Sequence, residues 1–260
     1  MMAFDKSIDF QSHTPYYLQL MEIIKFQIQE GVWQPGDQIP SELDLCDRYS
    51  ISRTVVRQAL RDLEVDNIII KRKGKGTFVA KPKISEGLIQ KLTGFYQDMV
   101  ERGLRPGTRV LHQRIIPATN KIARYLDVPI GTDIVDIRRL RFINDEPIQL
   151  VTTYIPLHLS PDLVNVDLTN RSLYAYLETA NNIKLARGVR YIEAVLANHE
   201  EANLLEIDEG DPLIMLDSVS YSEKGQVIEY YHAIHRGDRS RFEVELIRFN
   251  DEANRTSSLD

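Results

Sequence analysis

Apolar positions recur at helical spacing through the first eighty residues of this chain and alternate at strand spacing through most of the remainder. After Thr14-Pro15, the residues Tyr17, Leu20, Met21, Ile24 and Ile28 share one side of a helical repeat as far as Gly31. That pattern predicts a packing helix opened by the Thr-Pro pair and stopped by the glycine. The turn residues Pro35-Gly36-Asp37 and Pro40 come next. Ser41 and Asp44 then have capping-box spacing, which predicts a short helix carrying Leu45, Cys46 and Tyr49 and ending near Ser50. After the break Ser50-Ile51-Ser52, a third helix is expected with Ser52 as its cap and Val56, Ala59, Leu60 and Leu63 as its buried stripe. Two helices joined by so short a turn have helix-turn-helix spacing. Ile68-Ile69-Ile70 and Thr77-Phe78-Val79 read as two short strands of a hairpin.

The stretch AKPKISE, from Ala80 to Glu86, has the polar, proline-containing composition of a linker. Beyond it a helix from Phe95 to Arg102, stopped by Gly103, precedes a series of alternating segments. Strands are expected at Arg109 to Ile116, Ile134 to Ile143, Ile148 to Ile155, Val189 to Ala197, Leu213 to Ser222 and Val227 to His235. Tight turns at Asn144-Asp145 and Lys224-Gly225 make neighbouring strands hairpins, so the sheet is expected to be mostly antiparallel.

This half of the chain also repeats itself. At a constant offset of 79, Ala123, Leu126, Val128, Gly131, Ile134, Ile137, Leu140 and Phe142 fall on Ala202, Leu205, Ile207, Gly210, Leu213, Leu216, Val219 and Tyr221. Each copy reads as short helix, glycine-containing loop, strand, turn, strand. The match implies an internal duplication with pseudo-two-fold symmetry, and the seam between copies is a natural place for a ligand cleft. Chance similarity between alternating strands is the competing account.

Charge sharpens the picture of the first half. The chain of 260 residues has a formal net charge of -6, which offers nucleic acid no overall attraction. Its cations are concentrated, however: Arg48 to Lys83 holds ten Lys or Arg against three acids, while residues 1–47 hold two against eight. Arg53 and Arg57 lie one turn apart on the side of the third helix away from its apolar stripe, and Thr54 and Gln58 repeat that spacing beside them. Arg can pair bidentately with guanine and Gln with adenine, which is the chemistry of base reading in a major groove. A solvated helix face pairing Arg57 and Arg61 with acids such as Asp62 would show the same spacing. Between the two strands, Lys71, Arg72, Lys73 and Lys75 surround Gly74 and Gly76. The glycines permit close approach to a phosphate or the minor groove, and the lysines supply attraction independent of sequence. Helix, turn, arginine-faced helix and basic hairpin together read as a winged helix-turn-helix that binds DNA.

The run PGDQIPSELDLCDRYSISRTVVRQALRDLEVDNIIIKRKGKGTFV resembles the N-terminal domain of the GntR family of bacterial transcription regulators across nearly every position from Pro35 to Val79. The resemblance implies that Ser52, Arg53, Thr54 and Arg57 contact operator bases or phosphates and that Gly74 or Gly76 lies at the wing tip. The family usually has an arginine where this chain has Leu43, so one expected contact from the second helix is missing.

In the second half, Val135, Ile137, Arg139 and Arg141 project from one strand face because side chains alternate. Two readings fit. The arginines could line an electropositive pocket holding phosphate or carboxylate bidentately, or they could be an exposed strand end paired with an acid such as Glu229. The segments LTGFYQDMVERGLRPGTRV, RRLRFINDEPIQLVTTYIP, RSLYAYLE and VIEYYHAIHRGDRSRF are similar to the effector-binding UTRA domain of the HutC subfamily, which has a chorismate-lyase-like fold. In members that bind amino-sugar phosphates, the resemblance assigns phosphate holding to Arg139 and Arg141, helped by Ser172 and the Thr93, Gly94 and Phe95 segment. Arg187 or Arg190 would supply a third cation, and Glu229 would contact the ligand's polar body. Two positions depart from that pattern: Val151 stands where a glutamate contacts the sugar, and His235 where a tyrosine does. The anion-binding half is kept and the specificity half altered, which points to a different sugar phosphate, a phosphonate or a urocanate-like carboxylate.

The expectation is therefore an α+β chain, with a winged helix-turn-helix at residues 10–80, a linker at 81–91, an antiparallel-sheet UTRA domain at 92–250 and a flexible tail at 251–260. A chorismate-lyase-like fold also supports catalysis, but His13, His112, His158, His199, His232 and His235 form no HExxH, and the GKG of the wing lacks phosphate-loop spacing. Cys46 is the sole cysteine. No catalytic residue, metal or cofactor is expected. There is no apolar run of 18 residues, and MMAFDKSIDF is charged, which points to a cytoplasmic protein without membrane partners. Its expected partners are a palindromic double-stranded DNA operator, a small anionic effector and a second copy of itself, the homodimer being required because one winged helix reads only a few base pairs.

Overall fold

The computed structural model describes residues 7–72, 74–86, 95–169 and 171–244, and the chain divides into two compact units, residues 1–82 and 83–260.

The first unit opens with α1 (Tyr16–Gln29), followed by α2 (Glu42–Tyr49) and α3 (Arg53–Val65). Pro15 occupies the N-cap of α1 and makes no side-chain cap bond, so Thr14 does not cap this helix. Instead the Thr14 carbonyl accepts from the Gln19 amide at 2.8 Å. At α2 the capping box is complete: the Ser41 hydroxyl accepts from the Asp44 backbone N–H, and the Asp44 carboxylate accepts from that of Ser41. Ser41→Ala is expected to cost about 1 kcal/mol, read as a lower urea midpoint of the first unit at unchanged m-value. Ser50 takes a left-handed conformation and ends α2, and Ser52 accepts from the Val55 N–H to start α3.

Val56, Ala59, Leu60 and Leu63 of α3 are buried against Leu20 and Ile24 of α1 and Leu45 of α2 in one core. The end of α3 is a Schellman motif. Asn67, at φ 56°, donates to Glu64, and Ile68 donates to Leu63. Ile68 is thereby spent on the helix cap, so β1 (Ile69–Arg72) starts one residue later than the apolar run implies and takes in the first two cations. It pairs antiparallel with β2 (Gly76–Val79), register Ile69↔Val79 to Arg72↔Gly76.

In the second unit, β3 (Ile84–Glu86) precedes α4 (Phe95–Glu101), β4 (Pro106–Pro117), α5 (Asn120–Leu126), β5 (Asp133–Ile143) and β6 (Glu146–Pro156). Two short 3-10 turns lead to α6 (Leu173–Asn181), β7 (Leu185–Leu196), α7 (His199–Leu205), β8 (Pro212–Ser222), β9 (Val227–Arg236) and β10 (Ser240–Phe242). The six long strands form one antiparallel sheet in the order β4-β5-β6-β9-β8-β7. Residues 84–86 are not purely linker: Ile84 is buried, and β3 pairs in parallel with β10.

The sheet order is a palindrome, as the internal repeat requires. At the offset of 79, β4, α5 and β5 coincide end to end with β7, α7 and β8, and α4 falls on α6. The last strand shifts to an offset of 80, because the β8–β9 turn is longer than the two-residue β5–β6 turn, as Ser220↔Glu229 against Arg141↔Gln149 shows. The two copies meet where β6 pairs with β9, and Thr152 faces His232 there. Helices cover both faces. Leu173, Tyr176 and Leu177 of α6 pack on Val135 and Ile137, whereas Ala123 and Leu126 of α5 pack on Ile134 and Tyr230. Adjacent residues of β5 thus enter different cores, which is why the central strands read as nearly unbroken apolar runs.

Candidate functional site

The residues singled out for DNA contact lie on α3 and the β1–β2 hairpin. Ser52, Arg53, Thr54, Arg57 and Gln58 are all exposed, as expected of groups opposite a buried stripe. Arg53 donates through Nε to Glu42 Oε2 at 3.1 Å, and Arg57 Nε lies 3.9 Å from Glu42 Oε1. Gln58 donates to both oxygens of Asp62 at 2.9 Å, so that carboxylate engages Gln58 rather than an arginine. Leu43 is exposed on α2.

At the hairpin, Gly74 has φ +71° and Gly76 φ +118°. A side chain at Gly76 would collide with the Gln38 amide, which donates to the Lys75 carbonyl at 3.2 Å and lies against the wing. Sequence periodicity had no signal for Gln38, whose partner is 37 residues away. Lys71 and Lys75 are exposed, with Lys71 Nζ 3.6 Å from Glu64, and Arg72 stacks over Phe78. Lys73 lies outside the described residues.

The second unit holds a cleft with a free space of about 510 Å³, mouth included. Both copies of the repeat line it. β5 contributes Arg139 and Arg141, α4 contributes Phe95, the start of α6 contributes Ser172 and Tyr174, and β7 and β9 contribute Arg190 and Glu229. Six of the residues singled out from sequence, Phe95, Arg139, Arg141, Ser172, Arg190 and Glu229, are therefore brought together. Thr93 and Gly94 lie outside the described residues.

Three others are placed elsewhere. Arg187 is an odd number of residues from Arg190 on the same strand, so it turns to the other face, where its guanidinium lies 4.0 Å over the Tyr221 ring. Val151 is fully buried with Leu216, Tyr231 and Ala233. It pairs opposite Arg139 on the same sheet face, beside the lining residues Arg139 and Tyr231 but not itself exposed to the cleft. His235 is also fully buried, one layer behind the lining, where its ring nitrogen is 2.8 Å from the Gln149 amide and its ring meets Phe242 edge-on. Tyr174, Arg171, Thr108 and Tyr231 line the cleft without having been singled out, because side chains from α6, the loop before it, β4 and β9 converge there only in the fold.

The cleft is electropositive and incompletely satisfied. Arg139 is 2% exposed and Arg141 8%, and the Nε of each has no hydrogen-bond partner among the described residues. Arg139 does donate to the Thr153 hydroxyl at 3.2 Å, and Arg141 stacks over Phe95 at 4.8 Å. Burial, and then the Arg141 cation, pull Arg139 down to about 9, which still leaves it charged at neutral pH. Glu229 is the facing acid. It accepts from the Tyr174 hydroxyl at 2.7 Å and from Ser220 at 3.3 Å, and its other oxygen has no partner among the described residues. Burial pushes its carboxyl above the usual range, against the pull of Tyr174, Arg139 and Arg190. Arg190 donates to Ser218 at 3.3 Å, and Ser172 caps α6, whose N-terminus opens into the cleft. Four arginines, Arg139, Arg141, Arg171 and Arg190, line the cleft with one carboxylate, an arrangement that favours an anion carrying its own hydrogen-bond donors.

Residues 16–79 match the family described as bacterial regulatory proteins, gntR family, and residues 101–241 match the UTRA domain. The chain is 37% identical over 236 residues to the HTH-type transcriptional repressor NagR of Bacillus subtilis (strain 168), across 91% of this chain and 96% of that protein. It is 31% identical over 229 residues to the histidine utilization repressor of Pseudomonas putida, across 88% of this chain and 91% of that protein. Among solved structures, PhnF from Mycobacterium smegmatis has a TM-score of 0.62 at 28% identity, covering 89% of this chain and 98% of PhnF.

Proposed function

This chain belongs to the GntR family of bacterial regulatory proteins and is a DNA-binding transcriptional repressor, not an enzyme, and we propose that a small anion held by Arg139, Arg141 and Arg190 controls it. The observation that carries this reading is the pair of buried arginines with unpartnered Nε groups facing a single carboxylate. Buried cations without full partners are costly unless a ligand completes them. A sugar phosphate fits best: its phosphate would take the guanidinium groups, and its hydroxyls would donate to the free oxygen of Glu229. A urocanate-like carboxylate is the second reading, supported by the similarity to the histidine utilization repressor. Either effector acts only by favouring one placement of two DNA-binding units over another, because equal affinity for both states would shift nothing. The repressor acts as a homodimer on a palindromic operator, since two winged helices are needed to read enough base pairs.

A thermal-shift screen of the full chain against sugar phosphates, phosphonates, carboxylates and the matching neutral sugars tests the proposal. A ligand at 100 times its Kd adds about 2.7 kcal/mol to the unit that binds it. Phosphorylated or carboxylated compounds are expected to raise the midpoint while their neutral counterparts do not. Stabilisation by neutral sugars alone would sink the anion reading.

A further inference from the structure

Glu42 stands at the first turn of α2, behind the capping box of Ser41 and Asp44, and its carboxylate reaches across to both arginines of α3. It approaches each through Nε, 3.1 Å from Arg53 and 3.9 Å from Arg57. The terminal Nη edge of each guanidinium, which is the edge that meets guanine O6 and N7, makes no hydrogen bond among the described residues. The arginine side chains are 74% and 62% exposed, and that of Glu42 is 27% exposed. Ion pairs this open to water add little to folding, so stability does not explain why one carboxylate bridges two cations on the DNA-facing side.

We infer that Glu42 is a positioning and specificity residue of the DNA-reading surface, holding Arg53 and Arg57 so that they present their Nη edges to bases and are kept from indiscriminate phosphate contacts. The inference rests on the reading of α3 as the base-contacting helix. One carboxylate then has two effects. A tethered guanidinium loses less rotamer freedom on meeting a base, which favours the matching sequence. A fixed negative charge near the backbone also offsets one cation for every duplex alike, which weakens binding to all sequences. Glu42 therefore trades general affinity for discrimination, in the manner of a group that acts against the wrong partner.

The test begins by selecting duplexes from a randomised pool with the full chain. Binding to the selected duplex and to its scrambled counterpart is then measured by anisotropy over a range of KCl concentrations. Glu42→Gln keeps the shape and one acceptor but loses the charge. It is expected to bind scrambled duplex about threefold more tightly, with a salt slope steeper by about one ion, while the ratio of selected to scrambled affinity falls by about tenfold. Glu42→Asp, which keeps the charge on a shorter arm, is expected to restore the slope fully and the ratio in part. Melting curves of both variants establish that the first unit is folded. A parental ratio and slope in Glu42→Gln would overturn the inference and leave Glu42 an ordinary surface ion pair. Arg57→Ala is run in parallel. If it lowers the ratio and Glu42→Gln does not, the positioning role alone fails; if Arg57→Ala leaves the ratio unchanged, base reading by α3 falls and the role of Glu42 with it.

Discussion

Arg141→Ala is expected to weaken an anionic effector by tenfold or more while leaving operator affinity without effector at the parental level. The substitution removes a nearly buried guanidinium whose Nε has no hydrogen-bond partner among the described residues and whose face lies over Phe95. A charge-assisted pair with a phosphate or carboxylate is worth about 1.5 to 3 kcal/mol, and 1.4 kcal/mol is a factor of ten. Truncation relieves the repulsion between Arg141 and Arg139 but also removes the packing over Phe95, so a melting curve of the variant establishes that the second unit is folded. The variant should behave as a super-repressor, staying on DNA at effector concentrations that release the parent. Calorimetry for the effector and anisotropy for operator release, run on the same samples, check both halves. Parental effector affinity in Arg141→Ala would rule out this cleft.

Arg57→Ala is expected to cost about 1 to 3 kcal/mol of specific DNA binding, the worth of one bidentate contact to guanine. Its effect on scrambled duplex should be much smaller. Lys75→Ala, at the exposed hairpin, should instead weaken all duplexes alike and lower the salt slope by about one ion, because a lysine on phosphate carries no sequence information. Equal losses on selected and scrambled duplexes for both variants would show that α3 and the wing do not divide the work in this way.

The candidate sites were legible in the sequence to different depths, for a physical reason. On α3 the functional and structural faces belong to one helix, so periodicity alone separated Arg53 and Arg57 from the stripe of Val56, Leu60 and Leu63. What periodicity could not supply was their shared partner: Glu42 is 11 residues from Arg53 and on a different helix. Gln58, alike in spacing, is tied to Asp62 one turn on, and only side-chain geometry distinguishes it from the arginines.

In the second unit the repeat was visible at an offset of 79, because amphipathic elements of equal length leave the same pattern twice. Pattern likewise put Arg139 and Arg141 on one strand face. Whether that face was a wet strand end or a buried pocket was decided by α4 and α6, which bring Phe95, Ser172 and Tyr174 over it, and by the β9 position of Glu229. Strand alternation tells which side a residue takes, not how deep it lies. Val151 and His235 therefore ended in packed layers, and Arg187 turned away from the arginine three positions along. Local periodicity was enough for most of the elements and their order, and the resemblance of the motifs for the family; the cleft arises from contacts between residues far apart in the chain, and only the packed tertiary structure decides those.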